Sequence, residues 1–228
     1  MTRDTQRPLR ADAERNRRLI METADRMFAQ RGSAVTLNEI AREAGVGVAT
    51  VYRRFPDLQV LIDALFTERF TTFLQLATAA EQQPDPGQAL RHYLLAAAQW
   101  RARDRALDVV LAHASMDDRA IARMRDDLGR HVDGLVEGAV AAGAVREDFA
   151  GPDVYAFLHM IGAVADRTEE IAPEAWRRYA EALLMGFGLE QGPAAHTSPM
   201  TDAQILRTWP APSAQPPADA GQDHAARG

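Results

Sequence analysis

Residues 48–55 place small and basic side chains on one side of a short helical pattern. Val51 and Phe55 recur at helical spacing and are expected to be buried, which turns Thr50 and Arg53 toward solvent. The outward positions of this stretch are Ala49, Thr50, Arg53 and Arg54. Small side chains let a helix backbone enter a major groove closely, and neighbouring tyrosine and arginine side chains can reach phosphates. The pattern therefore predicts recognition chemistry directed at nucleic acid.

The preceding helix has a well-specified beginning and end. Thr36 and Glu39 show the Thr-x-x-Glu spacing of a capping box, which satisfies free N–H groups of the first turn. Val35 and Ile40 can close over this start as a hydrophobic staple, and Gly45 ends the helix because glycine adopts the left-handed conformation of a sharp turn. Two short helices around a glycine turn predict a helix-turn-helix. A helical hairpin that carries a glycine turn by chance is the alternative.

Charge is distributed unevenly along the 228 residues. Residues 1–56 contain eleven Arg against seven Asp and Glu, a net charge of +4, and the remaining residues contain fifteen Arg against twenty-five acids, a net charge of −10. A basic first quarter on an acidic body is expected where only one end of a molecule meets phosphate. All 26 basic residues are Arg, which equally fits a compositional bias, so charge alone leaves both interpretations open.

Apolar residues recur at intervals of three and four over most of the chain, and alternating strand-like patterns are scarce. We therefore expect an all-α protein in three parts. Residues 1–56 form the helix-turn-helix domain with a basic N-terminal arm at 1–11, and residues 57–190 form a helical body. Residues 191–228, which hold six of the twelve prolines and many alanines, are expected to be a disordered tail.

Two helices expected at 152–168 and 173–187 each begin with a proline in the first turn, where its missing N–H costs nothing. Apolar residues cover more than one side of both helices. Such a helix packs twice, once against its own core and once against a partner. We expect these helices to form a homodimer interface, with burial inside a monomer as the alternative.

Composition excludes several kinds of site. The absence of cysteine excludes disulfides, thiolate zinc sites and cysteine nucleophiles. No apolar run reaches roughly 18 residues and the first residues lack a signal-peptide core, so a cytoplasmic protein without a membrane span is expected. No nucleophile–base arrangement or phosphate-binding glycine loop is present, so neither enzyme activity nor a cofactor is expected. A metal site is not expected either, because the histidines of four successive helices follow no ligand spacing: His92, His113, His131 and His159.

The helix-turn-helix segment resembles the signature of the TetR family of bacterial transcriptional regulators. That signature runs Gly…Thr…Ile-Ala…Ala-Gly-Val…Thr-x-Tyr-x-x-Phe, and the likeness covers residues 12–66. Beyond residue 66 only length and helical character agree. The matching positions are Gly32, Thr36, Ile40, Ala41, Ala44, Gly45, Val46, Thr50, Tyr52 and Phe55.

The resemblance implies that the second helix of the motif enters the major groove. The implied contacts to base edges come from Val48, Ala49, Thr50 and Arg54, and those to phosphates from Thr36, Tyr52 and Arg53. Gly47, at the start of this helix, is implied to be a DNA-contact position as well. It stands where the family more often has Ser or Thr, which weakens the cap of the helix by about a few tenths of a kcal/mol. Leu58 stands where a phosphate-binding Lys is common. Neither departure changes the assignment.

The resemblance also implies an antiparallel helical body with a ligand cavity, dimerised through its last two helices. The expected pocket residues, with ordinary core packing as the alternative, are Trp100, Met116, Met124, His131 and Phe157. His131 is expected to be the polar contact in an otherwise apolar pocket. The implied function is a dimeric repressor, released from palindromic operator DNA by an unidentified small-molecule effector. A transcriptional activator, a ligand-independent architectural DNA-binding protein and a small helical enzyme are the alternatives.

Overall fold

The computed structural model describes residues 6–189 and 198–208. Every regular element in these residues is a helix. The predicted all-α fold is confirmed. The helices are α1 (Gln6–Arg31), α2 (Leu37–Glu43), α3 (Val48–Arg54), α4 (Leu58–Ala80), α5 (Pro86–Arg101), α6 (Leu107–His113), α7 (Arg119–Ala141), α8 (Gly151–Thr168), α9 (Ala175–Gly186) and α10 (Asp202–Thr208). None of the described helices has the length and apolar character required to cross a bilayer.

The long helix α4 belongs to two hydrophobic cores. Its first half contributes Leu61 and Phe66 to a core shared with α1, α2 and α3. Its second half contributes Phe73 and Ala77 to a core shared with α5, α7, α8 and α9. Because one continuous helix enters both cores, α4 connects the helix-turn-helix mechanically to the helical body.

The first core is completed by residues of the helical body. Ala106, the N-cap of α6, is buried together with the side chains of α1 to α4. Val110 of α6 and Ile121 of α7 belong to the same core. From the sequence, the helix-turn-helix domain is expected to end at residue 56. In the structure, the apolar core of that domain also includes residues that follow position 56. α6 therefore lies at the junction between the two parts of the molecule.

Local signals set several helix ends. Gly45 has a φ of +64°, the left-handed conformation expected for the turn between α2 and α3. Asp57 caps α4 by accepting a hydrogen bond from the N–H of Val60 at 2.9 Å. At α9 the prediction is wrong by two residues, because the helix begins at Ala175 and Pro173 precedes it.

The helix α10 lies inside the segment 191–228, which the sequence predicts to be a disordered tail. For these residues the structure differs from that prediction. Thr201 and Gln204 form a capping box, in which the N–H of Thr201 donates to Gln204 Oε1 at 2.9 Å and the N–H of Gln204 donates to Thr201 Oγ1 at 3.3 Å. Gln204 Nε2 also donates to the carbonyl of Ile171 at 3.4 Å. The overall Pro- and Ala-rich composition obscures this local signal. Residues 1–5 of the predicted arm, and 191–197 and 209–228 of the predicted tail, lie outside the described residues.

Candidate nucleic-acid interface and ligand cavity

The helix α3 presents the residues predicted for DNA contact on its solvent side. Val51 and Phe55 are buried and attach the helix to the first core. Val48 and Tyr52 are 47% and 43% exposed, although both are large apolar side chains. The remaining predicted contacts are the exposed Ala49, Arg53 and Arg54 and the half-buried Thr50. Exposed apolar groups beside arginines suit a surface that meets both base edges and phosphates.

The start of α2 is held by hydrogen bonds around Glu39. The N–H of Thr36 donates to Glu39 Oε2 at 2.9 Å and the N–H of Glu39 donates to Thr36 Oγ1 at 3.3 Å, which confirms the predicted capping box. Arg31 donates to Glu39 Oε1 at 2.7 Å, an ion pair that the local pattern does not indicate. Hydrogen bonds from Arg31, and then from Thr36, lower the pKa of the Glu39 carboxyl to about 2. The Thr36 hydroxyl itself donates to Glu39 at 2.7 Å.

The predicted DNA-contact residues also interact within the protein. Gly47 is the N-cap of α3 and supplies no side-chain hydrogen bond, as its residue type predicts. Arg53 donates from Nη2 to Thr50 Oγ1 at 3.4 Å. Arg54 Nη2 lies 3.8 Å from Oε2 of Glu14 on α1. No local pattern predicts this last contact, because it joins helices that are distant in the sequence.

A second candidate site is a cavity of about 430 Å³ in the helical body. Its lining comes from α4 to α8 and the connections between them, and not from α1, α2 or α3. Most of the wall is apolar, as shown by Phe70, Phe73, Leu111, Leu128 and Val154. Small-molecule pockets have volumes of roughly 300–1,000 Å³ and walls of this character. The cavity is therefore suited to a small, mainly apolar ligand.

A buried arginine forms part of the cavity wall. Arg101 of α5 donates to Asp166 Oδ2 at 2.9 Å and to Asp108 Oδ2 at 3.1 Å. It also donates to the backbone carbonyl of Asp104 at 2.9 Å. The guanidinium lies against Gly162 of α8, where a β-carbon would overlap it. The missing side chain at Gly162 leaves room for these ion pairs.

Tyr93 contributes a polar side chain to the cavity wall. Its side chain is 2% exposed. No group in the described part of the chain forms a hydrogen bond with its hydroxyl. Burial raises the pKa of this hydroxyl, so it stays protonated and keeps its donor hydrogen.

Of the five residues predicted to line a pocket, Met116 lines this cavity. Trp100 instead packs edge-on against Phe73, with 4.8 Å between the ring centroids. Phe157 is fully buried in the second core. Neither they nor Met124 belong to the lining. Apolar periodicity identifies buried sides of helices, but it does not show which buried side faces a cavity.

The prediction that His131 is the polar contact of the cavity is wrong. Its Nδ1 lies 2.6 Å from Oε1 of Glu81, at the far end of α4, and His131 does not line the cavity. His159 is the histidine found in the lining. In the described residues, no group of three or more His, Cys, Asp or Glu side chains is arranged to hold a metal ion.

The short helix α6 lines the cavity and is attached to α4 at both ends. After α6, Ser115 donates its N–H to Asp63 Oδ1 at 2.9 Å and its hydroxyl to Asp63 Oδ2 at 2.8 Å. Before α6, Asp104 forms an ion pair with Arg69. A displacement of α6 by a ligand would therefore act on α4, which also belongs to the first core.

The outer surfaces of α8 and α9 carry large apolar side chains. Met185 of α9 is 57% exposed, and Met160 of α8 and Tyr179 of α9 are exposed as well. Soluble proteins rarely leave groups of apolar side chains exposed unless they interact with a partner. These helices, expected from the sequence to be apolar on more than one side, thus have an inner face in the core and apolar groups outside.

Two protein-family models match the chain. The model described as bacterial regulatory proteins of the tetR family matches residues 20–65, which include the helix-turn-helix. The model described as the C-terminal domain of SbtR-like transcriptional regulators matches residues 85–188. The chain belongs to the TetR family. TetR-family regulators are non-enzymatic DNA-binding proteins, in agreement with the expectation that this chain is not an enzyme.

Individual relatives of this TetR-family chain agree with the assignment. An HTH-type transcriptional regulator of Staphylococcus aureus (strain USA300) is 42% identical over 50 residues, which are 22% of this chain and 27% of the relative. The match to this curated relative thus spans about a quarter of its length. The TetR transcriptional regulator SCO0520 from Streptomyces coelicolor is 27% identical, with a TM-score of 0.52 over 75% of this chain and 97% of that chain. AibR, solved in complex with isovaleryl coenzyme A and operator DNA, shares the fold at 18% identity, with a TM-score of 0.63 over 76% of this chain and 98% of that chain.

Proposed function

We propose that this chain is a sequence-specific DNA-binding transcriptional regulator, a homodimeric repressor that leaves a palindromic operator when a small molecule binds in the cavity. The observation that carries the proposal is the solvent side of α3, where Thr50, Tyr52 and Arg53 project from a helix anchored by Val51. Membership of a family of bacterial regulatory proteins supports DNA as the partner. A regulator of this kind acts in the cytoplasm, where the operator DNA is.

The charge distribution also indicates that the N-terminal part of the molecule binds DNA. The net charge of +4 over residues 1–56 attracts phosphate, and the net charge of −10 over the remaining residues repels it. Leu58, at the start of α4, supplies no cation where related sequences often have lysine. Phosphate contacts therefore depend on the arginines of α3 and on those of α1.

Release by a ligand is supported by the position of the cavity. AibR, a protein of the same fold, has been solved in complex with isovaleryl coenzyme A and operator DNA, so a protein of this fold can bind both a small molecule and DNA. In this chain α6 lines the cavity and is bonded to α4 through Asp63–Ser115 and Arg69–Asp104. A ligand that favours one position of α6 changes the population of α4 positions, and a coupling of roughly 1–3 kcal/mol would weaken operator binding about 5–150-fold.

Dimerisation is supported by the apolar groups outside α8 and α9. A chain with one recognition helix reads a two-fold operator by presenting a second copy of that helix through a two-fold dimer. The exposed Met160 and Met185 belong to the two helices that are expected to form this interface. Their other faces already pack in the second core.

The experiment that tests the proposal is selection of bound sites from random double-stranded DNA by the full-length protein. We expect a palindromic consensus, and a footprint that covers two half-sites in adjacent major grooves. Reporter transcription from the matching promoter should fall when the protein is present. A footprint without a discrete palindrome would indicate an architectural protein, and increased transcription would indicate an activator.

Two variants separate sequence reading from phosphate binding. Thr50→Ala should reduce the preference for the selected operator over random DNA by roughly 1 kcal/mol per half-site if Thr50 contacts a base. Arg53→Ala should weaken binding to both DNAs similarly and reduce the salt slope by about one unit. Arg146→Ala, a change at an exposed arginine between α7 and α8, serves as the control and should alter neither quantity. Equal losses on both DNAs for Thr50→Ala and Arg53→Ala would contradict the assigned roles.

A further inference from the structure

The Tyr93 hydroxyl has an unused hydrogen-bonding capacity inside the cavity. Tyr93 is 2% exposed and lines the cavity, and no hydrogen bond joins its hydroxyl to any group of the described chain. The enclosed side-chain atoms without a hydrogen-bond partner in the described chain are Arg69 Nε and Thr208 Oγ1, so the Tyr93 hydroxyl is open to the cavity and not sealed in the core. A hydroxyl in a pocket wall can bond a ligand that enters the pocket. A ligand with a suitably placed acceptor atom would supply that partner.

The buried cation of the cavity, in contrast, has its partners already. Arg101 donates to both carboxylate oxygens of Asp166, at 3.3 and 2.9 Å, and to Asp108 at 3.1 Å. The backbone carbonyl of Asp104 accepts a further hydrogen bond at 2.9 Å. Both terminal nitrogens of the guanidinium therefore already donate to acceptors of the protein. An anionic ligand would have to displace a carboxylate from Arg101, and it would meet the negative charge of Asp108 in the same wall.

The other charged or titratable groups of the lining are accessible to solvent. Arg125, Asp133 and His159 line the cavity and are exposed. Arg125 Nη2 lies 3.4 Å from Asp126 Oδ1, so this cation also has an acid beside it. Charges that remain hydrated contribute little attraction to a ligand. Tyr155, the second hydroxyl of the lining, is exposed as well. Within the described lining, the buried part of the wall therefore offers apolar side chains, the neutral Tyr93 hydroxyl and the already paired Arg101.

We propose that the ligand of this cavity is a neutral, mainly apolar molecule that carries a hydrogen-bond acceptor, and that the acceptor binds the O–H of Tyr93. This assignment rests on the proposed function, since it names the class of molecule that would act as the effector. The cavity of about 430 Å³ sets the size, and the apolar side chains of α4, α6, α7 and α8 contact the body of the molecule. The hydrogen bond from Tyr93 orients the ligand so that its acceptor atom lies against α5.

The test uses 6-propionyl-2-(dimethylamino)naphthalene, a neutral naphthyl ketone whose emission moves to shorter wavelength when its carbonyl loses a hydrogen bond. Full-length wild-type protein should bind it saturably. Tyr93→Phe, which removes only the hydroxyl, should weaken binding roughly fivefold, the usual effect of one neutral hydrogen bond, and shift the bound emission to the blue. Tyr179→Phe removes an exposed hydroxyl outside the cavity and should change neither value. Thermal unfolding should show that both variants are folded.

The anionic probe 1-anilinonaphthalene-8-sulfonate provides the comparison of charge. The neutral ketone should bind more tightly and should displace the sulfonate from the wild-type protein. The assignment is overturned by tighter binding of the sulfonate, by absence of ketone binding, or by equal ketone affinity and emission in wild type and Tyr93→Phe. Site selection on DNA is a separate measurement. A protein that selects a palindromic operator but fails these ligand tests would retain the proposed function and lose the assigned ligand class.

Discussion

Asp104 and Arg69 form a buried ion pair between the connection that precedes α6 and the middle of α4. Arg69 Nη2 donates to Asp104 Oδ1 at 2.9 Å, and Nε lies 2.6 Å from Oδ2 without the alignment of a hydrogen bond. Asp25 of α1 accepts a bond from the same guanidinium at 2.7 Å. Burial alone would lower the pKa of Arg69, but the two carboxylates outweigh it and hold the pKa above its usual value. One charged side chain thus connects α1, α4 and the start of α6.

Asp104→Asn should destabilise the protein by about 2–4 kcal/mol, because removing one partner leaves a buried guanidinium with incomplete compensation. Urea unfolding at neutral pH would measure this loss. Asp148→Asn is a matched control, since Asp148 pairs with Arg146 and both side chains are more than half exposed. That change should alter the free energy of unfolding by less than about 1 kcal/mol. Equal effects of the two substitutions would show that the Asp104 pair contributes no more than a surface pair.

The capping box of α2 should make part of the stability depend on acid. The pKa of Glu39 is lowered from its usual 4.5 to about 2, first by the hydrogen bond from Arg31 and then by those from Thr36. A lowered folded pKa gives stability that is present above pH 4.5 and is lost as the pH falls toward 2. Glu39→Gln keeps an acceptor for the Thr36 N–H and cannot titrate. The difference in unfolding free energy between wild type and Glu39→Gln should therefore shrink from pH 5 to pH 2.5, as measured by urea unfolding at each pH. A difference independent of pH would contradict this assignment.

Gly162→Ala should be strongly destabilising although alanine favours helices. The new methyl group would overlap the guanidinium of Arg101, which is buried and bonded to Asp166. Displacing it costs about 2–4 kcal/mol through overpacking and weakened ion pairs. Gly134→Ala on α7 places the same methyl group in open space and should stabilise the protein by about 0.5–1 kcal/mol. Thermal unfolding of both variants would compare them directly, and a similar sign for both would contradict the close packing at Gly162.

Met185→Arg should convert the proposed dimer to a monomer. The side chain is 57% exposed on α9, so the isolated chain tolerates a charge there, whereas a dimer interface would bury that charge. Sedimentation at micromolar concentration should give a monomer mass for this variant and a dimer mass for the wild type. Leu19→Arg makes the same kind of change at an exposed apolar residue of α1 and should remain dimeric. If Met185→Arg also sediments as a dimer, the interface lies elsewhere.

The helix-turn-helix was predictable because its determinants are local. Thr36 and Glu39, which form the capping box, are three residues apart. The turn at Gly45 depends on the backbone conformation of that residue alone. Helical spacing identifies Val51 as part of the buried side of α3. Each of these effects acts within a few residues of the chain. Arg31 completes the network at Glu39 from the end of α1, which no spacing rule indicates.

The cavity could not be predicted in the same way. His131 lies on an apolar stripe, yet it pairs with Glu81, and this pairing depends on how α4 and α7 pack. Leu90, Tyr93 and Leu94 recur at helical spacing, which indicates a buried side of α5, and this spacing does not show that Tyr93 lines a cavity. Periodicity reports that a side of a helix is buried, whereas the presence of a cavity depends on the shapes of side chains from five helices. An aromatic residue with a polar end in such a stripe is the signal that could have identified Tyr93.

The two attachments of α6 to α4 limit how the proposed effector site can be altered by mutation. Substitutions on the cavity side of α7 or α8, such as at Leu128 or Val154, change which molecules fit and leave the bonds to α4 in place. Substitutions on α6, such as at Leu111, change the fit and also the position of a helix held by Asp63 and Arg69. New ligand preferences are therefore most readily acquired, by natural drift or in a designed biosensor, through α7 and α8. Changes in α6 would instead alter the strength of the proposed coupling between ligand and DNA binding.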